Sequence, residues 1–311
     1  MMLEGNTSHL QRSTLSVERD AKERVDALLE MGFGRLEITD DADVLMDGIF
    51  EYDDPLYKPE VSYNAEDEVG RLIVRQPKAA TRSTLEDRSR WQLSFGEEVP
   101  LDLDVHVASG DTSVALKRTH LTALRTKVGS GKFAAHLSDA MDSLEHVAFK
   151  TASGRIRAVM DGAFPKLADC TASSASGVVT LSLKGTFPTM ETLRIDTASG
   201  STDLELVGTY PALNCIAIDT VSGVGDLNLA DATFSDLVLV LNCVSGKYVI
   251  RCPQGIGVGL SVKSLTGQIE APAFHRVGGK YMNERYGQVE ATLEIDLSSV
   301  SGRVSVQLGG E

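Results

Sequence analysis

From about residue 100 onward, apolar and polar residues alternate on both sides of a recurring Ser-Gly pair. Two, four and six residues after the glycine stand Val179, Leu181 and Leu183, then Thr202, Leu204 and Leu206, then Gly225, Leu227 and Leu229. Seven and five residues before it stand Leu193 and Ile195, Ile216 and Ile218, and Leu239 and Leu241. A period of two on both flanks predicts two half-buried strands per repeat, joined by a two-residue turn. No helical period appears in this region.

The glycines are Gly110, Gly131, Gly154, Gly177, Gly200, Gly223, Gly246, Gly267 and Gly302, at intervals of 21, 23, 23, 23, 23, 23, 21 and 35 residues. One such repeat cannot bury its apolar face alone, but coils stacked about 4.8 Å apart turn each inward column into a continuous ladder. The pattern therefore predicts an all-β fold: a β-solenoid, right-handed and β-helix-like, with coils of roughly 23 residues stacked in parallel. Glycine suits the bend because it takes φ > 0 without the ~1–2 kcal/mol penalty of a Cβ. Three residues before it, Thr151, Ser174, Thr197 and Thr220 are expected to face inward and satisfy one another's hydroxyls. Phe164, Phe187 and Tyr210, each followed by proline, mark a second corner, since proline is excluded from central ladders.

A solenoid's last coils would expose strand edges, so the ends need other structure. Residues 1–14 read as a disordered N-terminus and 15–98 as an N-terminal β cap. Within the cap, the segments LLEMGFGRLEI, GIFEYDD, PEVSYNA and GRLIVRQP read as short strands, residues 77–90 as an exposed linker, and Trp91 as packing at the junction. Residues 99–311 form the repetitive array, interrupted by an insertion at 271–287.

Charge narrows the partners. The chain has a formal net charge of −14, and residues 1–100 hold 22 of its 44 acidic but only 12 of its 30 basic side chains. Such a balance disfavours nucleic acid and anionic membrane surfaces. No signal peptide or transmembrane segment is read, so a cytoplasmic location is expected, with the envelope reached only through a partner. Cys170, Cys215, Cys243 and Cys252 lack metal-ligand or redox spacing and read as free, mostly buried thiols.

Candidate chemistry is sparse. Asp203 and Asp226 occupy the same outward column on adjacent coils, with Glu205 nearby, but no arginine or lysine is read beside them. Asp41, Asp43 and Asp47 lack the spacing of a calcium loop. His106, His120, His136 and His146 show no ligand partner, and MGFGRLEI has no helix to cradle a phosphate. The insertion differs: His275, Arg276, Lys280, Tyr281, Arg285 and Tyr286, with Phe274, combine cations and aromatics in an acidic chain. It is expected to cap the last coil, and it is the candidate partner-binding loop. No cofactor or metal is expected.

The order and spacing of LLEMGFGRLEI, GIFEYDDPLYKPEVSY, GRLIVRQ and WQLSFGEEVPLDLDVHVASGDTSVAL, followed by the Ser-Gly array, resembles the toast-rack family of adhesin-like prokaryotic domains. These are similar to the C-terminal domain of LiaF-type cell-wall stress proteins. The resemblance implies a stalk- or scaffold-like β-helical module tied to the cell envelope, without catalytic residues to carry over. The expected function is thus a non-catalytic scaffold or interaction module, with protein or self-association favoured over a small molecule. The alternative is a carbohydrate-active enzyme on a β-helix, which would show a cleft lined by several carboxylates and a basic residue.

Overall fold

The structure is a computed structural model that describes residues 10–18, 24–52, 57–65, 68–77 and 89–309. Seven long strands form its body: β7 (Leu101–Leu116), β8 (Leu121–Ala140), β9 (His146–Ala163), β10 (Asp169–Thr186), β11 (Thr192–Thr209), β12 (Cys215–Thr233) and β13 (Asp236–Cys252). Each pairs in parallel with the next, so that Leu181 lies beside Leu204 and Gly177 beside Gly200. The alternation therefore builds the expected solenoid. One detail differs from the expectation. The two strands and tight turn of each repeat are a single bent strand, because the glycine changes the chain's direction while both flanks stay paired.

The need for glycine at the bend is set by stacking as much as by dihedral angle. At Gly200, φ is 136°, and an added Cβ would fall 1.8 Å from the carbonyl oxygen of Gly177 on the preceding coil. Gly223 has no positive φ, yet its Cβ would still lie 2.3 Å from the Gly200 oxygen. A second column of the same kind begins at Asp139 (φ 65°) and continues through Gly162, Gly185 and Gly208. Aspartate tolerates this left-handed region better than most side chains, which fits it to start the column.

The two arms of each bent strand enclose one apolar core. Leu193 and Ile195 before the bend, and Leu204 and Leu206 after it, are buried, and the same positions recur coil after coil. The Phe-Pro corner closes the open side. Phe164, Phe187 and Tyr210 stack at centroid spacings of 4.9 and 5.0 Å, nearly parallel at 8° and 6°. The Tyr210 hydroxyl donates to the Leu183 carbonyl at 2.6 Å, meeting the polar requirement of a buried phenol. The inward hydroxyls near the bend depart from expectation. Thr151, Ser174 and Thr220 are buried, but among the described residues their hydroxyls have no hydrogen-bond partner. The coil spacing is fixed by the backbone ladder, and it does not bring stacked side-chain oxygens into bonding geometry.

At the N-terminal end, β2 (Arg24–Ala42) is itself a full coil, paired with β7 from Val25 to Ile38 and placing Gly34 beside Gly110. Its outer side is covered by a split coil. β5 (Val69–Arg75) runs parallel to its first half and β6 (Arg90–Gly96) to its second. Antiparallel strands then end the stack: β4 (Glu60–Asn64) on β5, β3 (Met46–Tyr52) on β6, and β1 (Gln11–Val17) on β3. The disordered segment expected over 1–14 is thus corrected for 11–14, which pair with Ile49–Tyr52, while residues 1–9 lie outside the described residues. Most of the expected linker, 78–88, also lies outside them. Trp91 is buried edge-on against Phe50, at 5.6 Å and 84°. Asp40, which the sequence pattern does not single out, is buried and accepts the backbone N–H groups of Lys117 at 2.6 Å, Arg118 at 2.5 Å and Thr119 at 3.2 Å.

The C-terminal end breaks the order of the chain. β18 (Thr292–Leu308) pairs with β13 on one side and with β14 (Gly257–Ser264) and β15 (Gln268–Glu270) on the other. The expectation that successive coils stack in sequence therefore fails for the last two. β14 and β15 together make an incomplete coil, whereas β18 matches β13 along its whole length from Asp236 to Cys252. The full coil takes the interior place and the incomplete one the end.

Two substitutions test this account. Gly200→Ala is expected to cost about 2 kcal/mol or more, because its Cβ meets the backbone of the adjacent coil. Gly279→Ala, where nothing lies within 4 Å, should melt within about 0.5 kcal/mol of the parent. Thermal melting of the pair decides, and equal loss in both would remove the stacking argument. Leu204→Asp places an unpaired carboxylate in the apolar ladder and should unfold the array.

Candidate functional site

In every coil the hydrogen-bonded register skips the residue two before the bend glycine, as at Ala175, Ala198, Val221 and Val244. The strand kinks there, and repetition of the kink opens a groove of about 1880 Å³ that crosses the coils from Met31 on β2 to Lys263 on the terminal β14 coil. With ten coils contributing, nine spacings of about 4.8 Å give it a length of roughly 43 Å.

The groove has two unlike walls. Four residues before each glycine the wall is polar: His106, Lys127 and Lys150 occupy adjacent coils, and Asp196 and Asp219 follow. His106 Nε2 lies 3.0 Å from Asp104. Arg194 holds both aspartates, at 2.8 Å from Asp196 and 2.6 Å from Asp219, and Asn242 donates to Asp219 at 2.8 Å. Lys127 and Lys150 are exposed and have no hydrogen bond or ion pair among the described residues. Two residues before each glycine the opposite wall is apolar. Ala108, Gly129, Ala152, Ala175 and Ala198 give way to Val221, Val244 and Val300, and the same column continues outside the groove lining as Leu265. The last four are 55, 47, 45 and 81% exposed and stand on adjacent coils, with the Leu265 N–H donating to the Ser299 carbonyl at 3.3 Å. Gln76 closes the N-terminal end, accepting from Gly32 N at 2.8 Å and Phe33 N at 3.1 Å.

The loop at 271–287 folds over the final coil. β16 (His275–Val277) and β17 (Lys280–Met282) form a hairpin, and β17 pairs antiparallel with the free edge of β14. Lys280 Nζ donates to Tyr286 Oη at 2.7 Å and lies 2.5 Å from Glu294, to which Tyr286 Oη also donates. Gly259 leaves room for this cluster, since an added Cβ would fall 2.5 Å from Lys280 Cε. Phe274 and Tyr281 pack partly buried against the core. Asn283, absent from the sequence-based candidates, is the anchor: its oxygen accepts from Val258 N and its Nδ2 donates to the Ile256 carbonyl, each at 2.9 Å. Of the six candidate residues, His275, Arg276 and Arg285 remain exposed, while Lys280, Tyr281 and Tyr286 are half-buried.

The paired carboxylates are placed side by side, as their column predicts. The expected lack of a neighbouring base is corrected. Arg251 pairs with Asp226, and Lys184 lies 3.0 Å from Glu205, which also accepts from Ser182 Oγ at 2.7 Å. Burial, and then the Asp226 charge, push the Asp203 carboxyl above its ordinary value. His146 Nδ1 meets Asp169 at 2.6 Å, a partner that spacing alone did not reveal. The four cysteines are free, and burial pushes the Cys170 and Cys252 thiols up to about 12. Among the described residues, no group of three or more His, Cys, Asp or Glu is placed to hold a metal, and no helix is long and apolar enough to cross a membrane.

Residues 6–154 match the family model for the N-terminal domain of toast_rack, DUF2154. No curated protein matches the chain. Among solved structures it is similar to a cell-adhesion candidate from Clostridium sporogenes at 16% identity and a TM-score of 0.34, over 96% of this chain and 100% of the other. It is also similar to an adhesin candidate from Bacteroides fragilis at 10% identity and a TM-score of 0.34, over 95% and 97%. A lipid-binding candidate from Parabacteroides distasonis matches at 10% identity and a TM-score of 0.39, over 98% of each chain.

Asp203 gives a pH-dependent prediction. Its folded carboxyl prefers the proton more than the unfolded one does, so its charge opposes folding at neutral pH. Asp203→Asn should therefore raise the urea midpoint at neutral pH. The gain should vanish below the ordinary carboxylate range, where both states hold the proton. A midpoint lowered at neutral pH would reverse the sign assigned to this group.

Proposed function

Over residues 6–154 the chain belongs to the toast-rack family, and from that premise we propose that it is a non-catalytic interaction module acting at the cell envelope. The observation that carries this reading is the row Val221, Val244, Val300 and Leu265, four exposed aliphatic side chains aligned on adjacent coils. Aligned apolar exposure of this kind marks interaction surfaces, and stacking fixes its spacing before any partner arrives. Of the three carboxylates that a carbohydrate-active enzyme would use, two are engaged by cations, Asp226 by Arg251 and Glu205 by Lys184. The exposed basic side chains His275, Arg276 and Arg285 extend the contact surface at the same end of the stack. The envelope link rests on the family alone.

The test is co-sedimentation with isolated bacterial envelopes, comparing the parent with a Val244→Asp, Val300→Asp double variant. Both positions are exposed, so melting should stay within about 0.5 kcal/mol. Envelope binding should fall at least tenfold. Binding that is absent in the parent, or equal in both proteins, would overturn the reading.

A further inference from the structure

We infer that the groove receives an extended, amphipathic segment of a partner polypeptide, laid across the coils with acidic side chains toward Lys127 and Lys150. This inference rests on the interaction-module reading and names what that module holds. An extended chain directs successive side chains to opposite sides. The groove offers those two sides two different walls, polar four residues before each bend glycine and apolar two residues before it. A segment alternating polar and apolar residues satisfies both walls at once, whereas an acyl chain would lie against polar groups along one side. At about 3.3 Å per residue, roughly a dozen residues span the groove.

Charge sets the direction of the segment. In a chain of net charge −14, Lys127 and Lys150 stand on adjacent coils with no carboxylate partner among the described residues. Asp196 and Asp219, farther along the same wall, share the single cation of Arg194 and so leave a net negative charge there that repels acidic side chains. The acidic side chains of the segment therefore lie over β8 and β9, away from Asp196 and Asp219. The apolar wall sets side-chain size in the same direction. Beside Gly129 and Ala152 there is room for large side chains, and beside Val221 and Val244 for small ones.

Binding is measured on the full chain with a short fluorescent peptide in which aspartate alternates with valine. A lysine–valine peptide and vesicles of anionic phospholipid serve as competitors of other chemistry. The aspartate peptide should bind saturably, and binding should weaken at least tenfold in the Lys127→Glu, Lys150→Glu double variant and in Ala175→Trp, which fills the groove. Lys166→Glu, a cation outside the groove, should leave it unchanged, and the double variant should gain affinity for the lysine peptide. Absence of aspartate-peptide binding, equal binding of both peptides, or indifference to the groove variants overturns the inference. So does uptake of vesicles without peptide binding, which would make the groove a lipid site. Peptide failure with envelope co-sedimentation intact rejects the polypeptide occupant alone, while loss of both rejects the interaction module as well.

Discussion

From Gly110 to Gly246, each bend glycine in this stack lies so close to its predecessor that the carbonyl oxygen occupies the place where a side chain would begin. At Gly110, Gly131, Gly154, Gly177 and Gly200 an added Cβ would sit between 1.8 and 2.1 Å from that oxygen. The contact ties position in the coil to position in the stack. Once one glycine is seated on the next, both arms are in register, and the apolar columns at Leu181, Leu204 and Leu227 fall on one another. The second column, from Asp139 through Gly208, repeats the constraint at the other end of the same strands and keeps the Phe164–Phe187–Tyr210 stack aligned.

A stack held this way must be stopped at both ends, and each end uses a different device. At the start, antiparallel strands replace parallel ones, and the split coil of β5 and β6 needs no bend glycine, because Ser89 stands beside Gly34. At the finish, the short β14–β15 coil is pushed outward by β18 and then covered by β17. The cover is fixed by Asn283 and by the Lys280–Tyr286–Glu294 cluster, whose cation and hydroxyl are thereby withdrawn from solvent chemistry. Binding capacity therefore lies along the stack more than at its tip.

Local exceptions keep the core filled. Gly225 vacates the inward position that Leu, Phe, Ile, Val or Thr fills elsewhere, and the Tyr248 ring from the next coil occupies the space, 2.2 Å from where a Gly225 Cβ would be. Burial raises the Tyr248 phenol above its ordinary value. Either residue alone looks like a lapse in the ladder. Together they conserve volume, as a close-packed interior requires.

The sequence by itself determined the solenoid, because a coil's period, its inward columns and its bend are local properties written in residues such as Leu193, Gly200 and Leu204. It also marked the Phe-Pro corner and the strands of the N-terminal cap. Only the tertiary structure decided which coils touch. Val300 stands between Val244 and Leu265 because β18 enters the stack out of chain order, and no column read along the sequence contains that adjacency. The same holds for Arg251 beside Asp226 and for Asn283 beneath β14, where partners lie 25 residues apart in the chain. The groove was within reach of the columns, since the change from Ala152 and Ala175 to Val221 and Val244 is visible in the repeat. Its concavity was not, because it arises from a backbone kink that alternation of polar and apolar residues does not encode.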